Sequence, residues 1–428
     1  MRRTFKTPKV RIFLFIWRLI WLIGMPAILI YLSWRGRDDP DYFRHLSERF
    51  GWHTSRSQPH IWIHAVSYGE LRSAEPIIRS YLAEGQAIVT THFTPAGRRA
   101  SQQLFAAEIA TGQLSAVWVP FDYGMAFRRF FRAFRPRFGL VMEIEMWPGM
   151  IAAADNQNVL LFLCNGQYPT KSYEKDEKKV FSRRDIVQGF AGVMVKNDVQ
   201  AQRFLDLGQS NVAITGEMRF EQSLNPVQLA KASEYKSQFG SRPVTTFTSV
   251  VIGEDALFIE AIKETAQRAI YVPRAPERFD ETFDLLRAAG LNVLRRSNLL
   301  DSDLVCHHRW PTDWDVLLGD SMGEMAFYLG LGDRAVIGGG FVPKGSHNII
   351  EPLAMSKPVI VGPHIWTIEF PVHEAIAAGV AKTVTPEGLA QSISSPIGLF
   401  STDDFLSQNG GSVAKTRAAL TRFGVGAV

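Results

Sequence analysis

Short apolar runs alternate with longer stretches in which apolar residues recur every three or four positions. The short runs are typical of buried parallel strands, and the longer stretches are typical of amphipathic helices. Seven strands are predicted in the first half, at 60–66, 87–93, 116–121, 138–144, 158–164, 192–196 and 212–216. Six more are predicted in the second half, at 245–250, 269–273, 291–295, 315–320, 334–340 and 357–363. This alternation predicts the α/β class, with two Rossmann-like domains facing a cleft.

Between the two series of strands lies a polar stretch, about 221–242, that contains Asn225-Pro226 and Ser241-Arg242-Pro243. Such residues are typical of a connection between domains. We therefore expect a first α/β domain at 41–220 and a second at 243–428, preceded by a separate N-terminal segment at 1–40.

The N-terminal segment contains an apolar run from Ile12 to Trp34, interrupted by Arg18, Gly24 and Pro26. About 20 apolar residues suffice to cross a bilayer. Arg18 favours shallower burial, because a charge at the bilayer centre costs at least ~2.5 kcal/mol unless the side chain reaches the interface. We expect a membrane-anchor helix, and the alternative is a buried core helix of the first domain.

The net charge of +5 belongs to this same segment, because residues 1–37 hold eight Lys or Arg residues and no acid. Without them the chain has a net charge of −3. A basic segment beside an apolar run suits anionic headgroups. The composition therefore favours an anionic membrane as a partner and argues against nucleic acid.

A glycine-rich loop in the second half is the first candidate binding site. A predicted strand runs into Gly338, Gly339 and Gly340, and a helix is expected to begin near Asn348. Glycines let backbone amides approach a phosphate, and a helix N-terminus adds free donors. Glu351, one turn into that helix, is placed to accept hydrogen bonds from both ribose hydroxyls. The alternative is an ordinary strand–turn–helix connection.

Two further loops of the second half follow predicted strands. Pro273-Arg274 places a guanidinium where it can contact a phosphate, with a surface ion pair to Glu277 as the alternative. The loop at 319–324 opens a helix and is a second candidate anion site.

In the first half, the loop at 64–70 ends a strand and places Glu70 at a helix N-terminus. A carboxylate there can remove the proton of an attacking hydroxyl, and the helix dipole is expected to lower the pKa of Glu70. Glu143 and Glu145 also end a strand, where alternation predicts that both point to one face. The alternatives are an ordinary first-turn acid for Glu70 and hydrogen bonds to neighbouring loop amides for Glu143 and Glu145.

Two other patterns carry less chemistry. The acids and histidines between 301 and 315 have no convincing metal-ligand spacing, so no metal is assigned. Phe127, Phe130, Phe131 and Phe134 recur at helical spacing, which predicts a stripe that packs into a core.

Ten motifs, in this order along nearly the whole chain, resemble those of the 3-deoxy-D-manno-octulosonic acid (Kdo) transferase family. They are WRGRDDPDYFRHLSERFG (34–51), HAVSYGE (64–70), THFTPAGR (91–98), VPFDYG (119–124), MEIEMWP (142–148), TGEMRFE (215–221), VPRAPERF (272–279), GDSMGE (319–324), GGGFVPKGSHNIIEP (338–352) and VGPHIW (361–366). The chain departs from the family pattern at Val251 and Ala275, each in place of a histidine, and at Gln167 in place of an arginine.

The resemblance implies the fold of B-type glycosyltransferases, with acceptor binding by the first domain and nucleotide-sugar binding by the second. It implies Glu70 as the general base and Glu143 and Arg219 as residues that stabilise the transition state. The positions implied to bind the cytidine nucleotide are Pro273, Arg274, Met322, Gly323, Glu324, Asn348, Ile349, Ile350 and Glu351.

The resemblance also implies an inverting transfer of Kdo from cytidine monophosphate-Kdo (CMP-Kdo) to a lipid A precursor, in lipopolysaccharide core biosynthesis. It implies no cofactor and a location at the cytoplasmic side of the cell inner membrane. Two alternatives remain at this point. One is a related B-type glycosyltransferase with a different sugar or glycolipid, and the other is a catalytically silent, membrane-tethered sugar-binding paralogue.

Overall fold

The computed structural model describes residues 5–397 and 400–426. The chain forms two compact units. Unit 1 comprises Met1–Gln222 together with Gly410–Val428, and unit 2 comprises Ser223–Asn409. The expected segments 1–40 and 243–428 include residues 1–4, 398–399 and 427–428, which lie outside the described residues.

Unit 1 is built on a seven-stranded parallel sheet with the strand order β3-β2-β1-β4-β5-β6-β7. Its strands are β1 Ile61–His64, β2 Ile88–His92, β3 Leu114–Trp118, β4 Phe138–Met142, β5 Leu160–Gly166, β6 Gly192–Val195 and β7 Val212–Ile214. Its helices are α1 Pro8–Asp38, α2 Leu46–Arg49, α3 Tyr68–Ala83, α4 Pro95–Leu104, α5 Ala106–Ala110, α6 Gly124–Phe134, α7 Pro148–Asn156, α8 Thr170–Glu177, α9 Asp198–Asp206 and α19 Ser412–Arg422.

Unit 2 also has a seven-stranded parallel sheet, in the order β10-β11-β9-β8-β12-β13-β14. Its strands are β8 Val244–Val250, β9 Arg268–Pro273, β10 Val293–Arg295, β11 Val316–Leu318, β12 Arg334–Ile337, β13 Val359–Val361 and β14 Ala381–Thr383. Its helices are α10 Pro226–Lys236, α11 Asp255–Thr265, α12 Phe279–Ala288, α13 Arg296–Leu299, α14 Met325–Leu331, α15 Ile350–Ala354, α16 Glu369–Ala377, α17 Leu389–Ser394 and α18 Asp403–Asn409.

The α/β class with two parallel sheets is confirmed, and all thirteen predicted strands have a counterpart. The strand that the pattern missed is β14, whose residues Lys382 and Thr383 are exposed. Such a short edge strand has too few buried apolar positions to stand out. In each unit the strand order reverses direction beside the first strand, next to β1 in unit 1 and next to β8 in unit 2. Ligands of doubly wound sheets bind at that point, beyond the carboxyl ends of the strands.

The compact units differ from the expected domain limits in two places. The connection that contains Asn225-Pro226 becomes α10 and belongs to unit 2, whereas the C-terminal segment returns to unit 1. Leu420 of α19 is buried in the core of unit 1, and the Phe423 ring stacks on Phe162 of β5 with 6.4 Å between ring centroids. The last helix therefore completes the hydrophobic core of the first unit.

α1 is a 31-residue helix that begins after the N-cap Thr7 and has Pro8 in its first turn. It is the one helix in the described part of the chain that is long and apolar enough to cross a membrane, by length and composition only. Its buried residues are Val10, Leu14 and Leu32, so the alternative of a buried core helix is wrong. Most of its apolar side chains are exposed.

One face of α1 packs on unit 1. Trp17 Nε1 donates a hydrogen bond to Asp122 Oδ2 at 2.7 Å, and Asp122 also accepts from the amides of Gly149 and Met150 at the start of α7. Burial raises the pKa of Asp122 to about 6. The Phe residues of α6 pack on the same side of the sheet, and all four predicted members of their stripe are buried, as the spacing predicts.

Candidate active site and nucleotide site

The candidate active site lies in unit 1, where the strand order reverses between β1 and β4. Glu70 is in the first turn of α3, which follows β1, and Glu143 directly follows β4. Because β1 and β4 are neighbouring parallel strands, their carboxyl ends bring these two loops together. The topology alone therefore places two of the predicted site residues at one edge of the sheet.

Glu70 is held by the loop that precedes its helix. Its Oε2 accepts from the amide of Val66 at 2.8 Å, and its Oε1 accepts from the Ser67 hydroxyl at 3.1 Å. Ser67 is the N-cap of α3, and its side chain accepts in turn from the Glu70 amide. This reciprocal pairing fixes the carboxyl at the helix start.

The pKa of Glu70 is raised to about 8, mainly by burial, with additional repulsion from Glu145 and Glu143. The expected lowering by the helix dipole is therefore wrong. Its bonds to Val66 and Ser67 favour the charged form, but they do not overcome the loss of solvation. A carboxyl with this pKa is mostly protonated at neutral pH and is a strong base once it is ionised.

Glu143 adopts a left-handed backbone conformation, with φ of 54°. Such a conformation is costly for a residue other than glycine and is often found at functional sites. It directs the carboxylate toward Arg219, whose Nη2 donates to Glu143 Oε1 at 2.9 Å. The expected strand alternation between Glu143 and Glu145 does not apply, because β4 ends at Met142.

Arg219 lies on a 3₁₀ turn that follows β7, spanning Met218–Glu221. Its Nε donates to the Ser73 hydroxyl at 2.7 Å, and its Nη2 also lies 3.4 Å from the carbonyl oxygen of Gly69. The guanidinium thus connects the first two turns of α3 with Glu143. Glu70, Glu143 and Arg219 are assembled in one place although 149 positions separate the first from the last. Their catalytic roles stay predictions.

A buried ion pair contacts the backbone of Arg219. This pair was not predicted from the sequence. Lys196 Nζ lies 2.8 Å from Glu217 Oε2, and both side chains are almost fully buried. Glu217 also accepts from Asn165 Nδ2 at 2.8 Å and from the amide of Arg219 at 3.2 Å. Lys196 and Arg219 lower the pKa of Glu217, against the effect of burial.

Gln167 connects this ion pair to the candidate active site. Its Nε2 donates to Glu143 Oε2 at 3.0 Å, and its Oε1 accepts from Lys196 Nζ at 3.1 Å. Where the family pattern has an arginine, this chain therefore has a neutral side chain that joins Glu143 to a buried lysine. The sequence signal was available in part, since Gln167 was recognised as a departure and Glu217 belongs to the TGEMRFE motif.

The candidate nucleotide site lies in unit 2, where the strand order reverses between β8 and β12. The loop after β12 contains Gly338–Gly340, and Gly339 has φ of +87°. A buried carboxylate, Glu254, accepts from the Gly339 amide at 2.8 Å and from the Phe341 amide at 3.1 Å. These two amides are therefore engaged by the protein, contrary to the expectation that they face a phosphate.

Glu254 was missed by the sequence reasoning, although it lies between β8 and α11, at the start of that helix. It is fully buried, and its Oε2 also accepts from the amide of Val251 at 3.1 Å. Burial raises its pKa, while the three amide donors act in the opposite direction. Glu254 thus fixes the glycine loop to the end of the neighbouring strand.

Pro273 ends β9, and Arg274 follows it with an exposed side chain. Among the described residues Arg274 forms no ion pair, so the alternative pairing with Glu277 is absent. Burial lowers the pKa of His347 to about 4, with a further contribution from the positive charge of Arg274. The guanidinium therefore lies near the loop that follows the glycines, and it has no acidic partner in the described chain.

Met322, Gly323 and Glu324 lie between β11 and α14. Gly323 has φ of +81°, and Met322 is exposed. The carboxylate of Glu324 accepts from Arg296 Nε at 2.6 Å and also pairs with Arg296 Nη2. The side chain of Glu324 is thus oriented by an arginine rather than free in solution.

Asn348, Ile349, Ile350 and Glu351 lie at the start of α15, which begins at Ile350 and has five residues. Ile349 and Ile350 are buried, so at these positions the backbone is what remains to contact a ligand. Asn348 Oδ1 accepts from the Ile350 amide at 3.0 Å. The expected helix start near Asn348 is two residues early, and a helix this short supplies little dipole.

No group of three or more His, Cys, Asp or Glu side chains is arranged to hold a metal ion within residues 5–397 and 400–426. Cys164 and Cys306 are free, and burial raises the pKa of Cys164 to about 12. The assignment of no metal stays a prediction.

Comparison with known proteins gives the family. The family model described as 3-Deoxy-D-manno-octulosonic-acid transferase (kdotransferase) matches residues 44–222. A 3-deoxy-D-manno-octulosonic acid transferase of Bordetella pertussis is 39% identical over 329 residues, which are 75% of this chain and 75% of that protein. The chain belongs to the 3-deoxy-D-manno-octulosonic acid transferase family. A second member, from Haemophilus influenzae, is 29% identical over 364 residues and 82% of each chain.

Membership of this family makes the chain a glycosyltransferase enzyme. The two alternatives, a related transferase with a different sugar or glycolipid and a catalytically silent sugar-binding paralogue, are not favoured. The fold is similar to that of the UDP-GlcNAc 2-epimerase from Neisseria meningitidis bound to UDP-GlcNAc, with a TM-score of 0.53 and 13% identity. That likeness covers 85% of this chain and all of the epimerase, and it shows the B-type fold alone.

Proposed function

We propose that this chain transfers Kdo from CMP-Kdo to a lipid A precursor, with inversion at the anomeric carbon. The observation that supports the proposal most directly is the assembly of Glu70, Glu143 and Arg219 at the reversal point of the first sheet, in a member of the Kdo transferase family. The proposed acceptor is a glycolipid, and the proposed donor is a cytidine nucleotide.

In this mechanism Glu70 acts as the general base. The ionised carboxylate takes the proton of an acceptor hydroxyl as its oxygen bonds to the anomeric carbon of Kdo. The bond between that carbon and the phosphate oxygen breaks, and cytidine monophosphate leaves with its electron pair. Because Glu70 has a pKa of about 8, its ionised form holds a proton firmly enough to drive this transfer.

Glu143 and Arg219 stabilise the charges that develop in the transition state. The ion pair between them gives the guanidinium a fixed orientation, and Ser73 holds its Nε. A preorganised cation does not have to reorganise during the reaction, which is the main source of electrostatic catalysis. The buried Lys196–Glu217 pair supports this arrangement through the backbone of Arg219.

Unit 2 binds the nucleotide in this proposal. Arg274 contacts the phosphate, Glu351 accepts from the ribose hydroxyls, and the loops at 322–324 and 348–350 contact the cytidine. A monophosphate leaving group carries less charge than a diphosphate, so protein cations suffice and no divalent metal takes part. The reaction needs no cofactor.

The proposed location is the cytoplasmic side of the inner membrane. α1 supports it with a long apolar surface that includes exposed Phe15, Leu22 and Ile23. Its basic flanks suit anionic headgroups, and nucleic acid is not a partner. We infer that α1 attaches the enzyme to the membrane that contains its acceptor.

A transfer assay tests the proposal. Purified protein with CMP-Kdo and lipid A precursor should give a product heavier by Kdo, detected by mass spectrometry, and release cytidine monophosphate. Glu70→Gln should lower turnover roughly 10²–10⁴-fold, whereas Glu84→Gln, at the other end of the same helix, should not. Transfer by Glu70→Gln at the wild-type rate would remove Glu70 from the mechanism, and no transfer by wild type would refute the function.

A further inference from the structure

A largely apolar cavity of about 480 Å³ lies within unit 1, between α1 and the loops at the carboxyl ends of the strands. Phe13, Trp17 and Trp21 of α1 form one wall. Phe93 and Trp147 contribute to the opposite side. Trp17 is fixed in this wall by its hydrogen bond to buried Asp122, so the helix and the loops are connected directly.

Hydrogen bonds link the cavity lining to the candidate active site. Trp147 Nε1 donates to Glu145 Oε2 at 2.6 Å, and Glu145 is close enough to Glu70 to raise its pKa. The amide of Phe93 donates to the carbonyl oxygen of Val66 at 3.0 Å, and the amide of Val66 holds Glu70. Trp147 and Phe93 of the cavity lining are therefore each hydrogen-bonded to a residue that contacts the proposed base or lies near it.

The charged side chains of the cavity lining are two bases, Lys179 and Arg183, and two acids, Asp122 and Asp176. Lys179 and Arg183 both pair with Asp176, at 2.7 Å and 2.6 Å, whereas Asp122 accepts from Trp17 and from two backbone amides. The ammonium and guanidinium groups of these two bases can also donate to an anionic headgroup. The apolar part is continuous with α1, whose outer surface is apolar and exposed. The cavity thus combines a largely apolar lining with two basic side chains, as a lipid with an anionic headgroup requires.

We propose that this cavity binds an acyl chain of the acceptor glycolipid and that α1 forms one wall of the acceptor site. This inference rests on the proposed function. The acyl chain lies among the aromatic side chains, and the sugar headgroup extends toward Glu70. α1 therefore contributes to substrate binding as well as to membrane attachment.

The proposal predicts a dependence on acyl-chain length. Each methylene removed from water is worth roughly fourfold in binding. With acceptors that share one sugar headgroup and differ only in chain length, kcat/KM of the wild-type enzyme should rise with length until the cavity is filled. The assay is carried out in detergent micelles, so that attachment to a bilayer does not affect the result.

Two variants place a charge in the cavity from different walls. Phe13→Asp changes the wall formed by α1. Phe181→Asp changes a loop on the other side of the stacked pair, since the ring of Phe181 stacks on that of Phe13 with 5.3 Å between centroids. Each should lower kcat/KM for the long-chain acceptor at least tenfold and change it less than twofold for the short-chain acceptor. The matched control is Val180→Asp, next to Phe181 but 76% exposed and outside the cavity.

The outcomes are distinct. Loss of long-chain preference in both cavity variants, with wild-type behaviour of the control, supports the acyl-chain site. An unchanged dependence on chain length in both cavity variants, or an equal effect of Val180→Asp, overturns it. Transfer by the wild-type enzyme to every acceptor at one rate also overturns it, whereas no transfer to any acceptor refutes the proposed function itself.

Discussion

The raised pKa of Glu70 predicts how the rate of this enzyme depends on pH. With a pKa of about 8, only about one tenth of the Glu70 carboxyl groups are ionised at pH 7. The kcat/KM of the wild-type enzyme should therefore rise about tenfold between pH 7 and a plateau above pH 9. Initial rates at low acceptor concentration, measured in buffers of constant ionic strength from pH 6 to 9.5, give this profile.

The same pKa makes a prediction about stability. The folded chain keeps Glu70 protonated up to about pH 8, while the unfolded chain ionises near 4.5. Its contribution to the free energy of unfolding is therefore present below pH 4.5 and is lost as the pH rises through 8. At about 1.36 kcal/mol per pH unit, the loss amounts to about 5 kcal/mol. Denaturant titrations at pH 4 and pH 9 should therefore show that wild type loses about 5 kcal/mol more of its free energy of unfolding than Glu70→Gln between these two pH values.

A neighbouring carboxyl provides the decisive comparison. After burial, the largest contribution to the raised pKa of Glu70 comes from Glu145. Glu145→Gln should move the rise in kcat/KM to lower pH, and Glu84→Gln, on the exposed end of the same helix, should leave it unchanged. A rate that is constant from pH 6 to 9, or a rise that stays in place in Glu145→Gln, would refute the assignment of this ionisation to Glu70.

Three further predictions concern other parts of the chain. Lys196→Gln leaves Glu217 buried without its partner, so the free energy of unfolding should fall by about 3–5 kcal/mol in thermal or urea titrations. A change below about 1 kcal/mol would contradict a supporting role. Glu254→Gln removes an acceptor from the amides of the glycine loop, so calorimetry should show binding of cytidine monophosphate weakened by roughly 1–3 kcal/mol, with unchanged affinity as the contrary result. Transfer from preformed CMP-Kdo should continue in EDTA, and a loss that only added metal reverses would show that a divalent cation takes part.

The sequence predicted the positions of the loops well because parallel strands impose a simple rule. Once β1, β4, β8 and β9 are recognised, the residues after them must gather at one edge of each sheet. Glu70, Glu143 and Arg274 were found in this way. The Phe stripe of α6 was equally direct, since helical spacing and burial agree.

Interactions between distant segments could not be predicted from local patterns. Arg219 follows a short strand and contacts α3 and Glu143. The resemblance to the family implied a role for Arg219, but it did not predict these contacts. The pKa of Glu70 was predicted in the wrong direction, because the helix dipole is visible in the sequence whereas burial and the approach of Glu145 are not. Glu254 was missed for the same reason, since its three amide partners come from two separate loops.

The position of α19 has a consequence for the synthesis of the chain. The ribosome makes the part of unit 1 that ends at Gln222 first, yet Ala419 and Leu420, which complete the hydrophobic core of that unit, are made after the whole of unit 2. During translation, part of the apolar core of unit 1 therefore stays exposed until α19 has been made. Since domains that are complete in sequence tend to fold as they emerge, unit 2 is able to fold before unit 1 is finished. Interruption of translation within unit 2 therefore leaves the half that contains Glu70 without its last helix.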